Sequence, residues 1–154
     1  MRTLVVRQAL AAPADYVFEA IADSSRLATL PGIWGVDQLR DGARERYGVG
    51  SLRRVRLAPL VWMEEEVVAF ERPLRWDYLL HKTSPVGFRH HGGSVRLRPV
   101  PEGTEVVWTT TFSTGLPVLG ATIERWGEFG TDFAFHTVLN AIDRQYLATY
   151  SETW

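Results

Sequence analysis

Between residues 34 and 113, short runs of β-branched and aromatic residues alternate with polar ones, and each run ends at turn-forming residues. This period of two predicts strands over 35–40, 49–57, 61–71, 74–82, 92–99 and 104–113. Turns are expected at Asp41-Gly42, Ala58-Pro59, Arg72-Pro73, Gly92-Gly93 and Pro101-Glu102-Gly103. Connections this short cannot cross over a sheet, so neighbouring strands should pair antiparallel. Residues 2–10 are β-rich enough to add a first strand. Pro13 then stands where a helix accepts proline, with Asp15 near the positive end of its dipole. Val17, Ile21 and either Phe18 or Ala20 give the helical spacing. Asp23-Ser24-Ser25 ends that helix and caps a short second one, which Leu30-Pro31-Gly32 stops.

After Pro117 the period returns to helical, to about Tyr150. Set at 100° intervals, Leu119, Ile123, Trp126, Phe129 and Phe133 cluster on one side, whereas Phe135, Val138, Leu139, Ile142 and Tyr146 cluster nearly opposite. A straight helix on one sheet should not change faces. Gly127 and Gly130 lie just before the change. A bend or interruption between Trp126 and Phe133 is therefore expected.

The 154 residues match one domain over 1–154, and 45% hydrophobic with 23% charged residues is an ordinary globular balance. Net charge is −1 with no Lys/Arg block, which argues against nucleic acid as a partner. There is no cysteine, so disulfides, thiolate metal sites and cysteine nucleophiles are excluded. The longest uncharged stretch, 106–123, is too rich in Thr, Ser, Gly and Pro to span a membrane. Arg2 and Arg7 interrupt the start before an apolar secretory core can form, so a cytoplasmic protein is expected.

Strand, two short helices, six antiparallel strands and a long last helix is an α+β order. Ala12-Pro13-x-x-x-Val17-Phe18-x-x-Ile21-x-Asp23, with Leu27-x-x-Leu30-Pro31-Gly32-Ile33, resembles the opening of the START/pollen-allergen-like (helix-grip, SRPBCC) superfamily. Val49-Gly50-Ser51-Leu52-Arg53-Arg54 and Glu65-x-Val67-Val68-x-Phe70-x-x-Pro73-x-x-Trp76-x-Tyr78 are similar to its middle strands. Leu97-x-Pro99-x-x-x-Gly103-Thr104-x-Val106-x-Trp108 is similar to its last hairpin. The polyketide cyclase/dehydrase and lipid-transport branch is the nearest likeness. The chain departs from the pattern in a long, His-rich segment over 85–93 and in the two helix glycines. The resemblance implies a seven-stranded curved antiparallel sheet gripping the last helix, with a cavity between them. A dry hollow of ~300 Å³ would cost ~7 kcal/mol, about a whole domain's stability, so such a cavity is wet, liganded or partly polar.

Polar side chains in phase with the core are therefore the candidates. Arg53 shares its phase with Val55 and Leu57, and could meet a carbonyl, enolate or carboxylate. A short turn after Leu57 pairs Leu57 with Val61, Val55 with Met63 and Arg53 with Glu65, close enough for an ion pair. That pair should leave guanidinium hydrogens for a ligand oxygen. Trp76 and Tyr78 share one phase, Trp108 and Thr110 another, and Trp126, Phe129 and Phe133 would complete the wall from the helix. Plain core packing is the competing reading for every one of these aromatics. His81, His90 and His91 are expected in loop or surface positions. The segment 85–93 should be the most mobile part near the opening. Glu128, Asp132 and His136 share a helix stripe but read as a solvated face, so neither metal nor cofactor is expected.

Three functions compete. The first is binding of a small hydrophobic or aromatic molecule, as carrier or sensor. The second is a polyketide aromatase/cyclase, with Arg53 or Tyr78 polarising a carbonyl. The third is an interaction domain without a ligand. Whether the chain is an enzyme is left open, as is its oligomeric state.

Overall fold

A computed structural model describes residues 1–85, 87–114 and 120–151. Its elements run β1 (Arg2–Leu10), α1 (Ala14–Ala22), α2 (Ser24–Leu27), β2 (Gly35–Arg40), β3 (Leu52–Ala58), β4 (Val61–Glu71), β5 (Arg75–Ser84), β6 (Arg89–Val100), β7 (Gly103–Ser113) and α3 (Gly120–Ser151). The strands form one antiparallel sheet in the order β1-β7-β6-β5-β4-β3-β2. Strands β2 to β7 pair each with the next, β2 and β3 across the longer connection 41–51, and β1 completes the sheet by pairing with β7 along its whole length. The expected start of the last helix at Pro117 lies outside the described residues.

Helix α1 buries Val17, Phe18, Ala20 and Ile21 against the sheet. Asp23 caps α2 by accepting the N–H groups of Ser25 and Arg26, as its position after α1 predicts. The C-terminal half of α3 buries Leu139 and Ile142 and is tied at its surface to the opening of the chain. Asp143 accepts the N–H groups of Ala11 and Ala12, and Gln8 meets Asn140 and His136.

Three expectations are corrected. The expected interruption of the last helix is absent, since α3 runs unbroken over 32 residues. Its change of apolar face is resolved by exposure, because Trp126, Phe129 and Phe133 lie on the outer surface. Gly92-Gly93 is not a turn. Strand β6 begins at Arg89, and residues 89–92 pair with β7 around a bulge at His91, so the strand takes in residues expected in the loop. Finally, Leu57 does not face Val61. A bulge at Leu57 pairs Ala58 with Val61 and leaves Pro59-Leu60 as the turn, while Val55–Met63 and Arg53–Glu65 keep the expected register.

Candidate functional site

The N-terminal half of α3 stands over the concave face of the sheet with its small residues inward. Gly127, Gly130, Thr131 and Ala134 border a chamber of about 340 Å³. Leu57, Met63, Leu80, Phe88 and Phe112 supply apolar walls, and among the described residues no charged side chain lines it. Phe88 packs edge-on against Phe112 at 5.3 Å. A Cβ at Gly127 would stand 3.0 Å from the Phe88 ring, so this glycine lets the ring lie close to the helix. A smaller chamber of about 70 Å³ lies deeper and shares Leu57, Met63, Tyr78, Ala134 and Phe135 as walls.

Polar chemistry in the larger chamber is concentrated where β5 and β6 part. Their pairing runs from Arg75–Arg96 to Tyr78–Gly93 and stops there. Beyond it the Leu80 N–H, which would otherwise lose its partner, donates to Nδ1 of His90 at 2.8 Å. With Nδ1 accepting, the ring hydrogen sits on Nε2 and donates to Oγ1 of Thr110 at 2.7 Å. The Trp108 indole N–H donates to the Tyr78 hydroxyl oxygen at 2.9 Å, and Thr110 makes a further polar contact with that hydroxyl. Both hydroxyl oxygens accept, Tyr78 from Trp108 and Thr110 from His90, so even where one of the two donates to the other, at least one hydroxyl hydrogen is left over. Both hydroxyls line the larger chamber.

Burial sets the protonation of this cluster. It pushes the Tyr78 phenol well above its usual range despite the Trp108 bond. Burial, followed by the neighbouring His91, pushes His90 down to about 4. Both groups are neutral across the physiological range. The Tyr78 ring reaches this position by crossing the β6 backbone at Gly93, where a Cβ would fall 2.3 Å from the ring. Its faces stack on His90 at 5.4 Å and tilt against Trp76 at 4.9 Å.

Arg53 and Glu65 do not enter the larger chamber. They line the deeper one, joined at 2.6 Å between Nε and Oε1. The remaining guanidinium donors reach Ile21 O at 2.8 Å, Ala22 O at 3.2 Å and Ser24 Oγ at 3.3 Å. Arg53 thus satisfies the last carbonyls of α1, and the expected supply of free hydrogens for a ligand is mostly spent. Trp76 and Trp108 also line the deeper chamber, where Trp108 stacks on Phe135 at 3.8 Å. Tyr78 borders both chambers and Thr110 the larger.

Trp126, Phe129 and Phe133 border neither chamber, which corrects the expectation that they complete the wall. Small residues line the hollow instead, and they carry little hydropathic signal. His90 corrects the other way: expected in a loop or on the surface, it is a strand residue turned inward, while His81 and His91 are exposed as expected. Glu128 pairs with Arg2 and His136 bonds Gln8, so the helix stripe is occupied by intrachain contacts.

Comparison with known proteins agrees with this architecture. Among solved structures, TTHA0849 from Thermus thermophilus superposes with a TM-score of 0.74 at 20% identity, covering 96% of this chain and 99% of that one. Ara h 8.0201 gives 0.71 at 15% identity over 96% and 98% of the two chains. DynU16, a protein in the dynemicin biosynthetic locus, gives 0.67 at 20% identity, covering 96% of this chain and 47% of that one. No curated protein matches the chain. These likenesses establish the helix-grip fold. Residues 1–141 match the family described as polyketide cyclase / dehydrase and lipid transport, and the chain belongs to that family.

Proposed function

We propose that this protein encloses a neutral, largely aromatic small molecule carrying one hydrogen-bond-accepting oxygen, as a binding protein rather than a catalyst. The leftover hydroxyl hydrogen at Tyr78 and Thr110, in a chamber that no charged side chain lines among the described residues, carries this reading. A carbonyl or ether oxygen would take that hydrogen, and the apolar walls would cover the rest of the molecule. Burying ~300 Å² of ligand gives ~7 kcal/mol before the cost of lost freedom, which sets affinity near micromolar.

Cyclisation of a poly-ketone chain needs a base to remove a proton from carbon. The free lone pair of His90 is already taken by the Leu80 N–H, and Tyr78 holds its proton tightly. The chamber therefore suits holding better than turning over. The test compares 2-acetylnaphthalene with 2-ethylnaphthalene by calorimetry on the wild type and on Tyr78→Phe/Thr110→Val. The ketone should bind roughly tenfold tighter to the wild type, and the double variant should lose that preference while still binding both. Equal affinity for ketone and hydrocarbon in the wild type would reject the reading. So would turnover of a poly-ketone at rates that vanish in the variant.

A further inference from the structure

Trp126, Phe129 and Phe133 are 72%, 69% and 68% exposed on α3. Their spacing of three and four residues makes one apolar seam on the face turned away from the sheet. Monomeric surfaces rarely carry a contiguous patch of this kind without a partner. Arg125 and Asp132 flank the seam on one side, seven residues apart. Arg125 has no ion-pair partner among the described residues, and Asp132 has only a 3.7 Å contact to His136.

We infer that this seam packs against the same seam of a second copy, antiparallel about a two-fold axis at Phe129. In such a pair, residues equidistant from the axis face each other. Trp126 and Phe133 are centred within about half a residue of position 129, and so are Arg125 and Asp132. Trp126 therefore meets the partner's Phe133, Phe129 meets its own copy, and Arg125 meets the partner's Asp132, each contact made twice. The charges select this arrangement. In a parallel pair the Arg125 flank would face the opposite flank, where Ile123, Gly130 and Thr137 carry no charge.

The area suffices as well. Three aromatics at this exposure present roughly 450 Å² per copy, so two copies approach the ~1,000 Å² of a specific interface before the flanks are added. An anionic lipid surface fits less well, because Asp132 and Glu128 stand beside the seam where basic residues would be needed. The seam is within a third of a turn of Gly130, which borders the larger chamber, so a partner helix would run along the rim of that chamber.

Sedimentation equilibrium of the full chain tests the inference. A dimer is expected, with Phe129→Lys raising the dissociation constant at least ~100-fold by setting two lysines against each other at the axis. Arg125→Asp and Asp132→Arg should each weaken the dimer about tenfold or more, and the two together should restore it to within about threefold. These side chains are exposed on the single chain, so circular dichroism melting at concentrations low enough for every protein to be monomeric should change little and confirms that each variant is folded. A wild type that stays monomeric at about 100 μM overturns the proposal. So does a dimer indifferent to Phe129→Lys, or a double charge swap weaker than either single one. A monomeric wild type that co-sediments with phosphatidylcholine/phosphatidylserine vesicles would identify the seam as membrane-facing instead.

Discussion

Arg53 bonds Glu65 across the β3–β4 ladder and, with the same guanidinium, two carbonyls at the end of α1. One side chain thus fixes both the register of a hairpin and the seat of a helix. Both partners are almost wholly buried, with side chains 2% and 8% exposed. Replacing Arg53 by Met leaves a buried carboxylate and two carbonyls unpaired, and should cost about 3–5 kcal/mol. Arg53→Met/Glu65→Leu should recover most of this, leaving about 1–2 kcal/mol for the α1 carbonyls. Urea unfolding measures both. A single variant losing less than about 1 kcal/mol would show that the pair holds nothing together.

Stability should fall on acidification through His90. Its pKa is about 4 in the folded chain against an ordinary 6.5, so between these values the unfolded chain binds more protons. The contribution is fully present above pH 6.5 and is lost as pH falls toward 4, by up to about 3 kcal/mol. His90→Gln cannot titrate, and its melting temperature should decline less than the wild type's over that window. Parallel decline of the two proteins would remove His90 as the cause.

Ala134 borders both chambers, so a larger side chain there should fill space rather than strain the helix. Ala134→Leu should add about 2 kcal/mol and raise the melting temperature by roughly 4–8 °C. It should also cut affinity for 2-acetylnaphthalene at least ~10-fold, by occupying the ligand's volume. A lower melting temperature with unchanged affinity would mean the space beside Ala134 is not where ligand goes.

Gly93→Ala tests how Tyr78 is held. The new methyl would collide with the ring, and neither it nor the β6 backbone can yield freely while both are in the ladder. The expected loss is about 1–3 kcal/mol, with a red-edge change in tryptophan emission as Trp108 loses its acceptor. Unchanged unfolding and fluorescence would argue against this packing.

The sequence made the sheet legible because a strand's alternation constrains both faces at once. Arg53 and Glu65 were placed opposite each other even though the turn was read one residue too long, since the bulge at Leu57 absorbs the difference. The bulge at His91 had the contrary effect. It shifts the alternation just where Gly92-Gly93 reads as a turn, and so hid the inward side of His90. On α3, periodicity separates two apolar faces without telling which meets the sheet. Of the α3 residues that line the larger chamber all but Phe135 are Gly, Thr or Ala, and hydropathy ranks that stretch below the aromatic face turned to solvent.

Beyond Tyr78 and Gly93, strands β5 and β6 are bridged by an imidazole rather than by paired peptides. Elsewhere in the sheet the backbone ladder holds neighbours at about 4.8 Å whatever the side chains are. Here the width of the wall depends on the reach of a residue encoded by a single codon. A shorter or longer side chain at position 90 would narrow or widen the chamber without disturbing any other rung. The scaffold and the span of the hollow are therefore set by different residues, the backbone ladder for the one and position 90 for the other.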